Sequence, residues 1–141
     1  MRTYRGQGSE WAWDPATFAL HVRDALARLY DLPALAGNPL VALLPDPRAA
    51  DAGRSLHQLL LRAVEQSRPP DSLPADAPPW RRYRALRLRF VEYVPPGQAA
   101  SALAISERQT RRECHEASEA LAAILWARHR EAPAHADPAR D

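Results

Sequence analysis

The sequence predicts an all-α protein made of a small N-terminal helical lobe, a proline-rich linker and a C-terminal group of helices with a long final helix. Alanine and leucine supply 28 and 18 of the 141 residues, whereas the β-branched Val, Ile and Thr supply 5, 2 and 3. A sheet is therefore not expected, because strands are enriched in β-branched residues. The 14 prolines cluster between apolar runs, which is typical of breaks between helices.

The N-terminal part consists of a polar leader at 1–13 and a helical lobe at 14–67. Asp14 followed by Pro15 predicts the start of a helix that continues to about Tyr30, because aspartate caps helices and proline suits the first turn. Prolines then divide the next stretch into helices of one or two turns. Apolar residues at helical spacing predict a third helix over 52–66.

The segment 68–79 contains five prolines and predicts an extended linker. The C-terminal part at 80–130 follows. It begins with a predicted helix in which Tyr83, Leu86 and Phe90 share one face and arginines cover the rest. The tail at 131–141 is polar and is expected to be disordered.

Positive charge is concentrated in one stretch of the C-terminal part. All 19 basic residues of the chain are arginines, and 80–112 contains eight of them against only two acids. A local basic field of this kind favours DNA, RNA or an acidic protein surface as the partner.

Several other classes of protein are not expected. Cys114 is the only cysteine, so the chain forms no internal disulfide and no cysteine-rich zinc site, and it lies on a buried helical stripe. There is no glycine-rich phosphate loop and no spacing typical of a catalytic triad. The sequence also lacks a group of three residues spaced as metal ligands. We therefore expect neither an enzyme nor a cofactor. No apolar run is long enough to suggest a signal peptide or membrane span, which predicts a cytoplasmic protein without membrane contact.

A short helix, a tight turn and a long helix follow one another between 95 and 130. Pro95-Pro96-Gly97 ends the preceding helix, 98–103 forms a short one, and Ala104-Ile105 a turn. Ser106 with Gln109 three residues later has the pattern of a capping box at the start of the long helix. With Thr110 at the centre of the buried face, the opposite side carries Arg108, Arg112 and His115, flanked by Gln109 and Arg111.

This arrangement lets the second helix enter the major groove of DNA, which is about 12 Å wide. Arginine can bond to guanine and glutamine to adenine, while further arginines hold phosphates. The motif LRLRFVEYVPPGQAASALAISERQTRRECHEASEAL resembles the helix-turn-helix of sigma factor region 4 and related bacterial regulators, whose pattern is approximately LRLRYVEGLSxxEIAExLGIS followed by a basic helix. The register holds without a gap from Phe90 to Ser106, and the resemblance covers about 80–125.

The resemblance implies a sequence-specific DNA-binding transcriptional regulator in which 80–130 is the helix-turn-helix domain. The base-facing residues that it implies are Glu107, Arg108, Gln109, Arg111 and Arg112. Expected at phosphates are Arg81, Arg82, Arg84, Arg89 and His115. A single motif of this size would bind one half-site weakly, so we expect either a homodimer or a module of a larger assembly.

The chain also departs from the family pattern. Ala104 stands where the turn usually has glycine, Pro95-Pro96 replace a small polar cap, and Ala99 replaces a large aliphatic residue. These changes leave open an alternative: a non-enzymatic helical protein-interaction module whose degenerate helix-turn-helix no longer reads DNA. Its basic face would then meet an acidic surface, such as that of RNA polymerase or another regulatory protein.

Overall fold

The computed structural model describes residues 13–140, with side chains described as far as His129. Every regular element in this range is helical, as predicted. In chain order the elements are α1 (Pro15–Ala27), α2 (Leu32–Ala36), a 3₁₀ helix (Pro39–Leu43), α3 (Ala52–Gln66), α4 (Pro78–Leu86), a π-helical turn (Arg87–Val91), α5 (Pro96–Leu103) and α6 (Glu107–Arg140). Within this range no helix is both long and apolar enough to cross a membrane.

Side-chain caps start the first three elements. Asp14 accepts a hydrogen bond from the backbone N–H of Thr17 at 2.8 Å, and Asp31 accepts one from Ala34 at 3.1 Å. The bonds from Thr17 hold the pKa of Asp14 below its usual value. Asn38, which is buried, accepts from the N–H of Leu40 at 2.8 Å. These bonds satisfy donors that have no partner inside a helix, which explains why the breaks predicted from proline fall here.

The N-terminal elements pack closely around a leucine-rich core. α2 lies against α3 at Gly53, where an added Cβ would come within 2.3 Å of the Leu32 carbonyl oxygen. Only glycine allows this approach without moving the backbone. The fully buried side chains of this part include Phe18, Val22, Leu35, Leu40, Leu56 and Leu60.

This core continues across the predicted linker. Tyr83 and Leu86 of α4 and Leu121 of α6 belong to the same hydrophobic cluster as the N-terminal leucines. Phe18 of α1 meets Trp126 of α6 edge-on, with ring centroids 5.2 Å apart. Residues 14–67 and 80–129 are therefore joined by one core, although the proline-rich composition of 68–79 predicted a boundary.

Some helix ends differ from the expectation. α1 ends at Ala27 rather than near 30, and Pro78 and Pro79, assigned to the linker, open α4. The backbone of α6 is helical to Arg140, whereas a disordered tail was expected at 131–141. Apart from Trp13, which packs against Phe18, the predicted leader at 1–13 lies outside the described residues.

Candidate nucleic-acid interface

α5 (Pro96–Leu103) is followed by a tight turn and the start of α6, the segment in which the sequence predicted a helix-turn-helix. Ala104 adopts a left-handed conformation (φ 60°, ψ 40°). The N–H of Ile105 donates to the carbonyl of Ala100 and the N–H of Ala104 to that of Ser101, both at 3.1 Å. This pair of bonds is a Schellman motif, which ends α5 and satisfies its last carbonyl groups.

Ser106 starts α6 as predicted. Its Oγ accepts a hydrogen bond from the backbone N–H of Gln109 at 3.0 Å, which is the serine half of the capping box. One turn later Thr110, only 1% exposed, donates its hydroxyl proton to the carbonyl of Ser106 at 2.9 Å. Thr110 thus lies at the centre of the buried face of α6. Its position determines which residues at the start of this helix face the solvent.

This orientation of α6 brings four of the predicted residues onto one exposed face. We call this surface the basic face; it consists of Arg108, Arg111, Arg112 and His115, all exposed. At 100° per residue they fall within an arc of about 100°. Gln109 is half-buried and lies about 60° beyond this arc, on the side of Arg112.

Glu107 lies differently from the other predicted base-facing residues. Its carboxylate points back to α5, where Oε2 lies 3.2 Å from the position of a Cβ built on Gly97. Gly97 is in the first turn of α5, where the positive end of the helix dipole favours a negative charge. The Glu107 carboxylate therefore lies beside the first turn of α5.

Three acids of α6 that follow Glu107 pair with arginines of neighbouring helices. Glu113, of which 8% of the side chain is exposed, pairs with Arg81 at 3.0 Å and with Arg82 at 3.5 Å. Glu116 pairs with Arg82 at 3.2 Å, and Glu119 pairs with Arg23 of α1. These three acids of α6 therefore form ion pairs with α4 and α1.

Three arginines of the basic face have no such partner. Across the residues with described side chains, no acid lies within ion-pair distance of Arg108, Arg111 or Arg112. They retain a net positive charge at the surface, where it can act on an anionic partner.

The residues expected at phosphates are mostly engaged elsewhere. Arg81 and Arg82 make the ion pairs with α6, Arg84 donates to the carbonyl of Ala75 at 3.0 Å, and Arg89 donates to that of Val94 at 2.7 Å. Only His115 of this set lies on the basic face. The α4 arginines therefore hold the fold together as well as carrying charge.

Sequence reasoning missed one residue that the structure singles out. Tyr93 follows the π-helical turn with φ 58° and is 72% exposed. The N–H of Val94 donates to the carbonyl of Leu88 at 2.7 Å, and Arg89 bonds the carbonyl of Val94. A non-glycine residue in this conformation is uncommon and stores strain.

The positive φ of Tyr93 could have been predicted from the sigma region 4 pattern that the sequence resembles. Tyr93 and Ala104 are the two non-glycine residues with positive φ among the described residues. Both stand at positions where LRLRYVEGLSxxEIAExLGIS has glycine. The chain thus keeps a left-handed backbone at both positions without the residue that adopts it at least cost.

The groups that could suggest chemistry at this site are structural. Cys114 is buried, with its Sγ 3.5 Å from the Ala85 carbonyl oxygen, and burial raises the pKa of its thiol to about 11. Such a thiol is protonated at neutral pH and is a poor nucleophile. Within the described part of the chain, no three His, Cys, Asp or Glu residues are grouped so that they could hold a metal ion.

Comparison with known proteins gives no match, since no family model, curated protein or solved structure is significantly similar to this chain.

Proposed function

We propose that this protein is a sequence-specific DNA-binding transcriptional regulator that reads the major groove with the start of α6. The observation that carries the proposal is the basic face, where Arg108, Arg111 and Arg112 are exposed and have no acidic partner among the described residues. Its arginines follow directly after a capped helix start, and the N-terminal residues of a recognition helix are those that reach base edges.

The chemistry of the face suits the reading of guanine. Arg108 and Arg112 lie one turn apart, so both can project into the same groove, and each guanidinium can bond to O6 and N7 of a guanine. Arg111, at the flank, suits a phosphate of the groove wall. The left-handed backbone at Tyr93 and Ala104 supports the likeness to sigma region 4, because it follows the glycine positions of that pattern.

On this proposal the chain is a non-enzymatic cytoplasmic regulator. It would act as a homodimer or as a module of a larger assembly, because three or four basic contacts supply only modest affinity for one half-site. From the three unpaired arginines we expect log Kd to change with log salt with a slope of roughly 2 to 3.

The test is fluorescence-anisotropy binding to a pool of random-sequence duplexes at low and near-physiological salt, followed by sequencing of the retained DNA. Steep salt dependence together with an enriched motif is the expected result. Absence of binding at low salt would contradict DNA binding by the isolated chain.

Single substitutions then distinguish sequence-specific contacts with bases from nonspecific electrostatic attraction to DNA. Arg108→Ala and Arg112→Ala should each cost about 1–3 kcal/mol on the enriched site and relax its sequence preference. Arg54→Ala is the matched control, because Arg54 is an exposed arginine on α3, outside the helix-turn-helix. It should leave both affinity and preference unchanged; an equal loss would mean that only overall charge matters.

A second candidate is the protein-interaction module. It is favoured by the engagement of Arg81, Arg82, Arg84 and Arg89 within the fold, which reduces the charge available for phosphates. In that case binding to the duplex pool should be weak and without an enriched motif, and the basic face should bind an acidic protein surface instead.

A further inference from the structure

A cavity of about 280 Å³ lies between α3, the end of the 3₁₀ helix and the later part of α6. Its residues on α6 are Leu125, Arg128 and His129. Leu125 follows Arg112 by 13 residues, which at 1.5 Å per residue is about 20 Å along the helix. The cavity is therefore separate from the basic face.

The floor of the cavity is apolar. It is formed by Leu43, Leu59, Ala63 and Leu125, which belong to the hydrophobic core or pack against it. An apolar surface of this kind gains free energy when a hydrocarbon group replaces water on it.

The polar side chains that line the cavity are positively charged or neutral. Arg62 and Gln66 come from the last turns of α3, and Arg128 comes from α6. Among the residues with described side chains, no carboxylate lines the cavity and no acid pairs with Arg62 or Arg128. Burial lowers the pKa of His129 to about 4, so its ring is neutral at pH 7 and adds no charge to the cavity.

We infer that this cavity binds a small amphipathic anion, an aliphatic or aromatic monocarboxylate, with its hydrocarbon part on the leucines and its carboxylate between the two guanidinium groups. Arginine is suited to this role because its planar donors can bond both oxygens of a carboxylate. At about 30 Å³ for each water-sized group, the volume corresponds to a ligand of about nine heavy atoms. Octanoate and a short phenylalkanoate are ligands of about this size. This inference does not depend on the proposed DNA binding.

The experiment is isothermal titration of octanoate into the 141-residue chain, without DNA. We expect saturable binding to one site, and binding should weaken by about tenfold or more in Arg62→Gln and in Arg128→Gln, since each removes a charged donor. Arg54→Gln is the matched control on the same helix, since Arg54 lies outside the cavity. Both arginines are exposed, so the variants should remain folded, which far-UV circular dichroism and the midpoint of thermal unfolding would verify.

A second pair of measurements tests the two halves of the ligand. Octyltrimethylammonium has the same chain with a positive headgroup and should not bind, whereas Leu59→Trp should block octanoate by filling the floor without changing any charge. The inference is overturned if octanoate does not bind, if the cation binds equally well, or if Arg54→Gln weakens binding as much as Arg62→Gln.

Discussion

The N-terminal part (13–67) and the C-terminal part (78–129) of this protein are stabilised in different ways. In the N-terminal part, α1, α2 and the 3₁₀ helix start at side-chain caps while α3 does not, and no described residue has positive φ. In the C-terminal part, Ser106 caps α6 but α4 and α5 have no capping side chain. A π-helical turn follows α4, and two non-glycine residues adopt positive φ.

The difference shows where backbone strain is concentrated in this protein. Strained backbone and π-helical turns persist only where surrounding structure enforces them, and they occur often at functional sites. Here they are concentrated between 87 and 106, directly before the basic face. The N-terminal part, in contrast, supplies the relaxed core on which α6 is placed.

The largest expected effect tests whether the two parts are one folding unit. Phe18→Ala should lower the free energy of unfolding by about 3–5 kcal/mol, because it removes a fully buried ring that contacts Trp126 on α6. Urea unfolding followed by circular dichroism and by tryptophan fluorescence should give coincident transitions. Leu20→Ala is the control, since Leu20 is 55% exposed and should change stability by less than about 0.5 kcal/mol. Two separate transitions would show that the parts fold independently.

The next effect concerns the ion pairs that fasten α4 to α6. Glu113→Gln should lower the free energy of unfolding by about 1–3 kcal/mol, less than for a fully buried pair because Arg81 and Arg82 can regain water. Glu116→Gln, at a carboxylate whose side chain is 46% exposed, should cost less than about 1 kcal/mol. Equal losses in chemical denaturation would mean that burial of Glu113 does not matter.

Relief of strain should have a smaller effect of opposite sign. Ala104→Gly should raise the free energy of unfolding by about 0.5–1 kcal/mol, because glycine adopts positive φ at little cost and the exposed methyl group of Ala104 contributes little packing. Ala102→Gly, at an exposed position in the last turn of α5, should instead lower it by up to about 1 kcal/mol. If both variants shift the thermal midpoint downwards, Ala104 is not strained.

The last effect appears only at acidic pH and concerns the junction of α3 and α6. Burial lowers the pKa of His129 from 6.5 to about 4, so the folded protein binds this proton less readily than the unfolded chain. The stability that comes from the neutral ring is therefore present above 6.5 and is lost as the pH falls towards 4. His129→Gln should reduce this loss, measured as the difference in unfolding free energy between variant and wild type across that window. A difference that does not change with pH would contradict the assignment.

Much of the local structure could be predicted from the sequence. The start of α1 at Asp14-Pro15, the span 52–66 of α3 and the cap of α6 at Ser106 were predicted from residues adjacent in the chain, and the structure confirms them. These features depend on bonds within one or two turns, so local sequence contains the information needed.

Other features could not be predicted because they depend on distant residues. The count of eight arginines against two acids over 80–112 omitted Glu65, Glu113 and Glu116, which lie outside that window but pair with its arginines. The proline-rich composition of 68–79 predicted a boundary, yet residues on both sides of this segment belong to one hydrophobic core. Neither result is visible from composition, because both depend on which helix faces are brought together.

The sequence by itself determined that this protein is helical, where most of its helices begin, and which side of α6 turns inward at Thr110. Only the tertiary structure decided which arginines are neutralised, because Coulomb attraction falls off with distance in space and not with separation along the chain. It placed Glu113, Glu116 and Glu119 against the arginines of α4 and α1, and it left Arg108, Arg111 and Arg112 exposed on the basic face.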